Sequence, residues 1–146
     1  MTEPLIKEAE EEFDIKTKSL CGDGAYSSGR VKEKTDHKRI DLISKVPQLK
    51  NKGRISKEEF IIDVKEEKAT CPEGKVAERC RQSRNYEGEI TKTFVFSNKT
   101  CNNCSKKEEC TKAKRGGRTV SVGPHEDYLQ EARKIQKTDG FKRIYK

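Results

Sequence analysis

The sequence predicts an α/β chain in which a small β-rich segment containing cysteines interrupts a strand-helix-strand core. Three observations support this class. Two short apolar strand candidates flank a helix near the beginning, a cluster of cysteines follows strand-like segments in the middle, and a strongly polarised helix follows Pro124. Alternation of strand and helix favours a local parallel sheet. We therefore expect a partial core over residues 1–54, a cysteine-rich insertion over 55–114, and a return to the core with a C-terminal helix over 115–146.

The composition limits the size of the core and the class of partner. Hydrophobic residues make up 30% of the 146 positions and charged residues 40%, with no Trp. A large core is therefore excluded, and a crosslink or further segments would have to add stability. The net charge of +8 favours an anionic partner, of which nucleic acid is the commonest. No apolar run approaches the roughly 20 residues of a membrane span, which excludes an integral membrane role.

Four elements are predicted in the first third of the chain. The first helix has an apolar stripe at Leu5, Ile6, Ala9 and Phe13, and Ser27 or Ser28 is placed to cap the second. Pro47 ends the second strand. In chain order the elements are a helix over Met1–Phe13, a strand over Thr17–Cys21, a helix over Gly29–Asp36 and a strand over Ile40–Val46.

The remainder alternates strands with polar segments. Pro124 at a helix start, acidic residues in the first turn and basic residues near the end match the helix dipole, and Tyr128, Ala132 and Ile135 are expected to face inward. The segments in order are a polar linker over Gln48–Lys57, a hairpin from Phe60–Val64 to Ala69–Cys71, a charged loop over Val76–Gly88, strands at Thr93–Phe96 and Thr119–Val122, the helix after Pro124, and a further helical stripe from Phe141.

The cysteine spacing predicts a zinc site. Cys101 and Cys104 have the C-x2-C spacing at which two thiolates converge on one metal ion, and Cys110 follows closely. We expect Cys71 to be the fourth zinc ligand, because it lies in a Cys-Pro-Glu-Gly turn that suits a metal knuckle. The alternatives are disulfides or small buried hydrophobic side chains. The acidic opening, Met1–Asp14, lacks the apolar segment of a secretory signal, which favours a reducing cytoplasm and hence a metal.

Two further groups are candidates for chemistry. Asp23 stands between glycines just after the first predicted strand, where open α/β sheets place their ligands. An ordinary turn aspartate is the alternative. The basic run Lys112, Lys114, Arg115 and Arg118 is the candidate phosphate-contacting patch, with a solvated basic loop as its alternative. Composition alone assigns no role to Cys21, Cys80 or His125.

Four motifs in order resemble a known family. CGDGAYSSG, TCPEGK, KTCNNCSKKEEC and RTVSVGPHEDYLQEARKIQKTDGFKRIYK resemble the C-terminal half of bacterial insertion-sequence transposases of the DDE type, including their cysteine-rich insertion. The resemblance implies a ribonuclease-H-like core in which three carboxylates hold two Mg²⁺ ions for cutting and joining DNA strands. In that scheme Asp23 matches the second carboxylate, and both the catalytic role and the Mg²⁺ ligand role of Asp23 follow from the resemblance.

The resemblance also implies partners and limits. The family pattern is Asp-Ala-Gly-Tyr, whereas Gly24 and Ala25 stand here in the reverse order. The segment bearing the first Asp would lie before Met1 and the final Glu beyond Lys146, so we expect no turnover by this polypeptide alone. Expected partners are DNA, those two segments of the parent transposase and, in the parent, a second copy. The expected location is the bacterial cytoplasm in association with the nucleoid.

Two functional hypotheses follow. The first is part of a DDE transposase, whose intact parent binds DNA and carries out metal-dependent strand cleavage and transfer. The second is a stand-alone zinc-containing module that docks DNA or protein without catalysis. Asp23 separates them, because only the first hypothesis requires its carboxylate.

Overall fold

The computed structural model describes residues 2–14, 16–47, 49 and 53–145 and divides the chain into two compact units. Unit 1 comprises residues 1–47 and 127–146, and unit 2 comprises residues 48–126. The fold is mixed α/β, as predicted. Part of the predicted linker over Gln48–Lys57 lies outside the described residues. No helix in the described part of the chain is long and apolar enough to cross a membrane.

Unit 1 contains the predicted strand-helix-strand arrangement. Strand β1 pairs in parallel with β2, and Leu20 stands opposite Leu42 in the register. The connecting helix α2 begins where the hydroxyl of Ser28 accepts the backbone N–H of Val31 at 3.3 Å. The elements are α1 (Thr2–Phe13), β1 (Ser19–Cys21), α2 (Gly29–His37), β2 (Asp41–Ile43), α5 (Glu126–Ile135) and α6 (Asp139–Ile144). The first residue of α5, Glu126, belongs to unit 2.

The helices of unit 1 bury less apolar surface than their patterns predict. In α1 only Ile6 of the expected stripe is buried, whereas Leu5 and Phe13 are exposed. In α5 the expected inward position of Ile135 is wrong, since that side chain is 48% exposed and the neighbouring Arg133 is buried. A side chain as long as arginine can bury its methylene stem while the guanidinium keeps polar contacts, which apolar periodicity does not reveal.

Unit 2 is built from a two-stranded hairpin and a three-stranded antiparallel sheet. The hairpin pairs β3 (Ile61–Asp63) with β4 (Lys68–Thr70), as predicted. The sheet has the order β5-β6-β7, formed by Arg79–Arg84, Ile90–Val95 and Thr119–Val122. Two short helices, α3 (Asn98–Asn102) and α4 (Lys107–Cys110), lie between β6 and β7.

Two predictions for this region need correction. Val76–Gly88 was expected to be a loop, but it contains β5, whose polar side chains are almost all exposed on an edge strand. Backbone pairing with β6 compensates for the weak sequence pattern. Thr119–Val122 was assigned to the returning core, yet β7 pairs with β6 in unit 2. Its alternation explains the pairing, because Val120 and Val122 are buried in the unit 2 core.

The core of unit 2 is a cluster of aromatic and aliphatic side chains beneath the sheet. Phe60 and Phe96 have ring centroids 5.6 Å apart, and Phe94 and Ala69 are fully buried. Cys71, Cys80, Cys101 and Cys110 pack against the same cluster. Helices of five and four residues are not stable in isolation, so α3 and α4 depend on these contacts.

Candidate functional site

Asp23 lies two residues beyond the carboxyl end of β1, the strand-end position expected from the sequence. The parallel pairing brings the carboxyl ends of β1 and β2 to one edge, and the N–H of Gly22 donates to Ile43 O at 3.0 Å. A Cβ on Gly22 would lie 3.1 Å from the side chain of Tyr26. Glycine at this position therefore allows the tyrosine ring to pack against the turn that presents Asp23.

The Asp23 carboxylate also stabilises its own turn. Its Oδ1 accepts the backbone N–H of Ala25 at 2.9 Å and caps the 3-10 turn Gly24–Tyr26. The residue is exposed, and its carboxylate makes no further hydrogen bond or ion pair with the described residues. Both sequence interpretations are thus compatible with the geometry, because one carboxylate oxygen serves the turn and the other faces solvent.

Cys71 sits in a tight turn immediately after β4. The N–H of Cys71 donates to Lys75 O at 2.8 Å, and the N–H of Gly74 donates to Cys71 O at 2.9 Å. Gly74 has a φ of +76°, a left-handed conformation that favours glycine. The N–H of Lys75 points at Cys71 Sγ at 3.3 Å. The turn therefore gives the sulfur of Cys71 a backbone donor.

The other three predicted ligands come from the two short helices. Cys101 lies in α3 and Cys110 ends α4, while Cys104 stands between them with its N–H bonded to Cys101 O at 3.2 Å. The N–H of Arg118 donates to Cys101 Sγ at 3.3 Å. Two of the four sulfurs, those of Cys71 and Cys101, therefore accept backbone N–H groups from separate loops.

Cys110 lies close enough to the other three predicted zinc ligands for their thiols to affect its pKa. Burial raises the pKa of Cys110, the Arg118 guanidinium opposes that shift, and the thiols of Cys101, Cys104 and Cys71 raise the pKa further. All six cysteines are free thiols, which removes the disulfide alternative from this structure.

Proximity alone does not make a metal site. Among the residues that the structure describes, no group of three or more His, Cys, Asp or Glu side chains is arranged to hold a metal ion. Thiols can affect one another's charge over distances well beyond the roughly 2.3 Å of a zinc–sulfur bond, so an electrostatic effect on Cys110 does not imply a coordination shell. Three of the four predicted zinc ligands, Cys71, Cys101 and Cys110, pack against the unit 2 core. Among the described residues neither these cysteines nor Asp23 belongs to a group that closes a coordination shell.

The predicted basic patch divides into exposed and internal members. Lys112, Lys114 and Arg115 are exposed. The Arg118 guanidinium instead donates to the backbone carbonyls of Cys110 and, at 3.1 Å, Ile55, and it lies 5.6 Å from the centroid of the Phe60 ring. Arg118 thus holds three segments of unit 2 together, whereas the other three side chains are directed to solvent.

A glycine fixes the course of the segment between α4 and β7, residues 111–118, which we call the basic loop. A Cβ on Gly117 would lie 2.1 Å from Phe96 O and 2.6 Å from Ser97 O. Only glycine permits the loop backbone to pass so close to the end of β6. The Gly116-Gly117 pair, which interrupts the basic run in the sequence, therefore sets the position of Arg118 and its contact with Cys101.

Sequence reasoning missed a buried ion pair. Lys57 Nζ lies 2.9 Å from Glu126 Oε2, and the side chains are 21% and 2% exposed. Glu126 was expected only to complement the dipole of α5. Nothing in the local pattern reveals the pairing, because the two residues are 69 positions apart.

The residues left unassigned by the sequence have ordinary surroundings. Cys80 faces the unit 2 core, and burial together with Glu67 raises the pKa of its thiol. His125 Nε2 lies 3.6 Å from Glu89 Oε1, and Cys21 is exposed at the end of β1. None of these three residues belongs to the cysteine group described above.

Comparison with known protein families identifies the family of this chain. The family model described as the transposase DDE domain matches residues 70–146, which is more than half of the sequence. The chain belongs to the transposase DDE domain family. The matched part of this DDE domain begins at the Cys71 turn and contains all four predicted zinc ligands and the basic loop, whereas Asp23 lies before it. Comparisons with curated proteins and with solved structures find no match.

Proposed function

We propose that this DDE domain contributes Asp23 and a DNA-contacting surface to a bacterial insertion-sequence transposase that cuts and joins DNA strands. The observation that carries the proposal is the family match over residues 70–146. The strand-end position of Asp23, beside the paired ends of β1 and β2, supports its assignment as one of the family's carboxylates. A cytoplasmic, nucleoid-associated location belongs to the same proposal.

The chemistry requires Asp23 to act with other carboxylates. When bound, two Mg²⁺ ions would supply an activated hydroxyl and stabilise the leaving oxygen. The exposed carboxylate oxygen of Asp23 would be the metal ligand, while Oδ1 keeps the turn closed through Ala25. Hard carboxylate oxygen suits Mg²⁺. Two further carboxylates of the family scheme would complete the site.

The test uses the longest reading frame that contains this sequence. Asp23→Asn keeps an oxygen that caps the turn but removes the charge, so nicking of supercoiled DNA in Mg²⁺ should fall at least 100-fold without loss of thermal stability. Asp41→Asn is the matched control, because Asp41 is exposed at the opposite, amino end of β2. Equal activity in Asp23→Asn and wild-type protein would exclude the catalytic assignment.

DNA binding is assigned first to the exposed basic loop. Lys112, Lys114 and Arg115 present three positive charges and make no hydrogen bond or ion pair with the part of the chain that the structure describes, unlike Arg118. Each phosphate contact that is lost should reduce the slope of log K against log salt by about 0.9 for duplex DNA. The triple variant to Gln should therefore bind duplex DNA more weakly and with a smaller slope, and an unchanged slope would argue against this role.

We also propose a structural zinc at Cys71, Cys101, Cys104 and Cys110. The packing of Cys71, Cys101 and Cys110 against one core and the N–H groups directed at two of the sulfurs support it. Closing the shell requires the sulfurs to converge further than in this structure. Purified protein should contain about one zinc per chain, and Cys104→Ser should lose it while Cys80→Ser keeps it. Metal-free wild-type protein with the same fold would reject the site.

A binding module without catalysis is the second candidate function. It is favoured by one observation, namely that Asp23 already has a structural task in capping Gly24–Tyr26. In that case Asp23→Asn would leave every activity of the intact protein unchanged, while the basic-loop variant would still weaken DNA binding.

A further inference from the structure

The sheet of unit 2 has a solvent-facing side that none of the proposed sites uses. Phe94, Val120 and Val122 point into the core, so the alternate positions of the three strands share the opposite face. We call it the hydroxyl face. The register assigns it eight residues, namely Arg79, Arg81, Ser83, Thr91, Thr93, Val95, Thr119 and Ser121.

Hydrogen-bonded hydroxyls organise this face. Ser83 Oγ lies 2.7 Å from Thr91 Oγ1, and Thr93 Oγ1 lies 2.9 Å from Ser121 Oγ. The two pairs cross from β5 to β6 and from β6 to β7. Cross-strand pairing holds the hydroxyl side chains in place, so they present donors and acceptors without a large loss of rotamer freedom on binding.

The charge of the hydroxyl face is of one sign. None of its eight positions is acidic, although the chain contains 25 Asp and Glu residues. Arg79 and Arg81 lie on the edge strand β5 and are exposed, and neither forms an ion pair with the described residues. Two positions along a strand separate them by roughly 7 Å. Arginine forks and short hydroxyl side chains are donors that proteins direct at phosphate oxygens.

The hydroxyl face is continuous in the sheet with the basic loop. Arg79 is paired with Val95, which is paired in turn with Thr119, and Thr119 directly follows that loop. A polyanion lying on the loop could therefore continue across the sheet. Charged residues on an edge strand also prevent strand-to-strand aggregation, a role that requires no ligand.

We propose that the hydroxyl face binds the phosphate backbone of duplex DNA, with Arg79 and Arg81 as the charged contacts and the Thr93–Ser121 pair as neutral donors. The proposal rests on the DNA-binding function proposed above and assigns that function a second surface. Contacts of this kind position a protein on DNA without reading its sequence. The hydroxyl face should accordingly contribute equally to binding of unrelated duplexes.

The test measures binding of a 30-base-pair duplex as a function of salt. Arg79→Gln with Arg81→Gln should lower the log–log salt slope by about 2 and weaken binding in 0.1 M salt by tens of fold. The matched control is Lys68→Gln with Arg84→Gln, which removes the same charge from exposed side chains that are not on the hydroxyl face. Thr93→Val should weaken binding several-fold without changing the slope.

The outcomes distinguish this inference from the proposed function. Equal losses in the two double variants would show a general charge effect and overturn the hydroxyl face as a site. Unchanged binding in Arg79→Gln with Arg81→Gln, together with loss in the basic-loop triple variant, would overturn the hydroxyl face alone. Absence of DNA binding by the wild-type chain would overturn both. Thermal unfolding of each variant checks that the fold is retained.

Discussion

Replacing Gly117 by alanine tests the packing that organises the basic loop and the cysteine group. The added Cβ would lie 2.1 Å and 2.6 Å from the backbone oxygens of Phe96 and Ser97. No side-chain rotation can relieve this overlap, because both neighbours belong to the backbone. The loop must therefore move, which would weaken two hydrogen bonds. They are the bond from Phe96 N–H to Arg118 O at 2.9 Å and the bond from Arg118 N–H to Cys101 Sγ.

The expected cost can be estimated from these contacts. Overpacking in a well-packed region costs about 1–3 kcal/mol, and backbone on both sides places Gly117→Ala near the upper end. A loss of about 3 kcal/mol should lower Tm by roughly 6–12 °C in a chain of this size. Gly123→Ala is the control, since a Cβ there meets nothing within 4 Å. Its effect should remain within about 0.5 kcal/mol.

Urea unfolding followed by circular dichroism measures both variants. We expect a clear fall in the unfolding midpoint for Gly117→Ala and almost none for Gly123→Ala. Equal midpoints for the two variants would refute the close approach of the loop to β6. If zinc is bound as proposed, Gly117→Ala should also release it more readily, because Cys101 loses its backbone donor.

Three further variants test other contacts. Glu126→Gln should destabilise the protein to urea by about 2 kcal/mol, because Lys57 loses a charged partner that is 2% exposed; an unchanged midpoint would contradict the buried pair. The hydrogen bond from Lys92 lowers the pKa of Glu67, so its stabilisation is present above the ordinary value of 4.5 and lost as pH falls through the lowered value. Glu67→Gln should therefore be less stable than wild type near pH 7 and equally stable in strong acid, and a deficit that persists in acid would speak against this ionisation. Arg118→Lys should lower the free energy of unfolding by about 1–2 kcal/mol, since a single ammonium cannot reach the carbonyls of both Cys110 and Ile55. Full stability in thermal unfolding would show that the two guanidinium hydrogen bonds are dispensable.

Local sequence signals predicted the elements that depend on local chemistry. Ser28 was named as a possible cap of α2, and the parallel pairing of β1 with β2 follows from the strand-helix-strand order. Strand β5 was missed because its stability comes from hydrogen bonds to β6 and not from its own polar side chains. Propensity carries little information on such an edge strand.

In the candidate site, too, local sequence predicted residue groups but not the contacts between distant segments. Spacing predicted that Cys71, Cys101, Cys104 and Cys110 form one group, yet it could not show whether the sulfurs close around a metal. Arg118 was grouped with its basic neighbours, although its contacts with Ile55 and Phe60 come from distant segments. Asp23 was located from the strand end and the resemblance, while its capping bond depends on the conformation of the turn.

We propose that Asp23 is a metal ligand in a DNA-cutting site, and the variant Asp23→Cys in the longest reading frame is the sharpest test of that role. A thiolate binds Mg²⁺ poorly but accepts softer ions such as Mn²⁺. We predict that nicking of supercoiled DNA by Asp23→Cys is lost in Mg²⁺ and recovered in Mn²⁺, while wild-type protein is active in both. The same activity in Mg²⁺ for Asp23→Cys and wild type would contradict the assignment of Asp23 as a metal ligand.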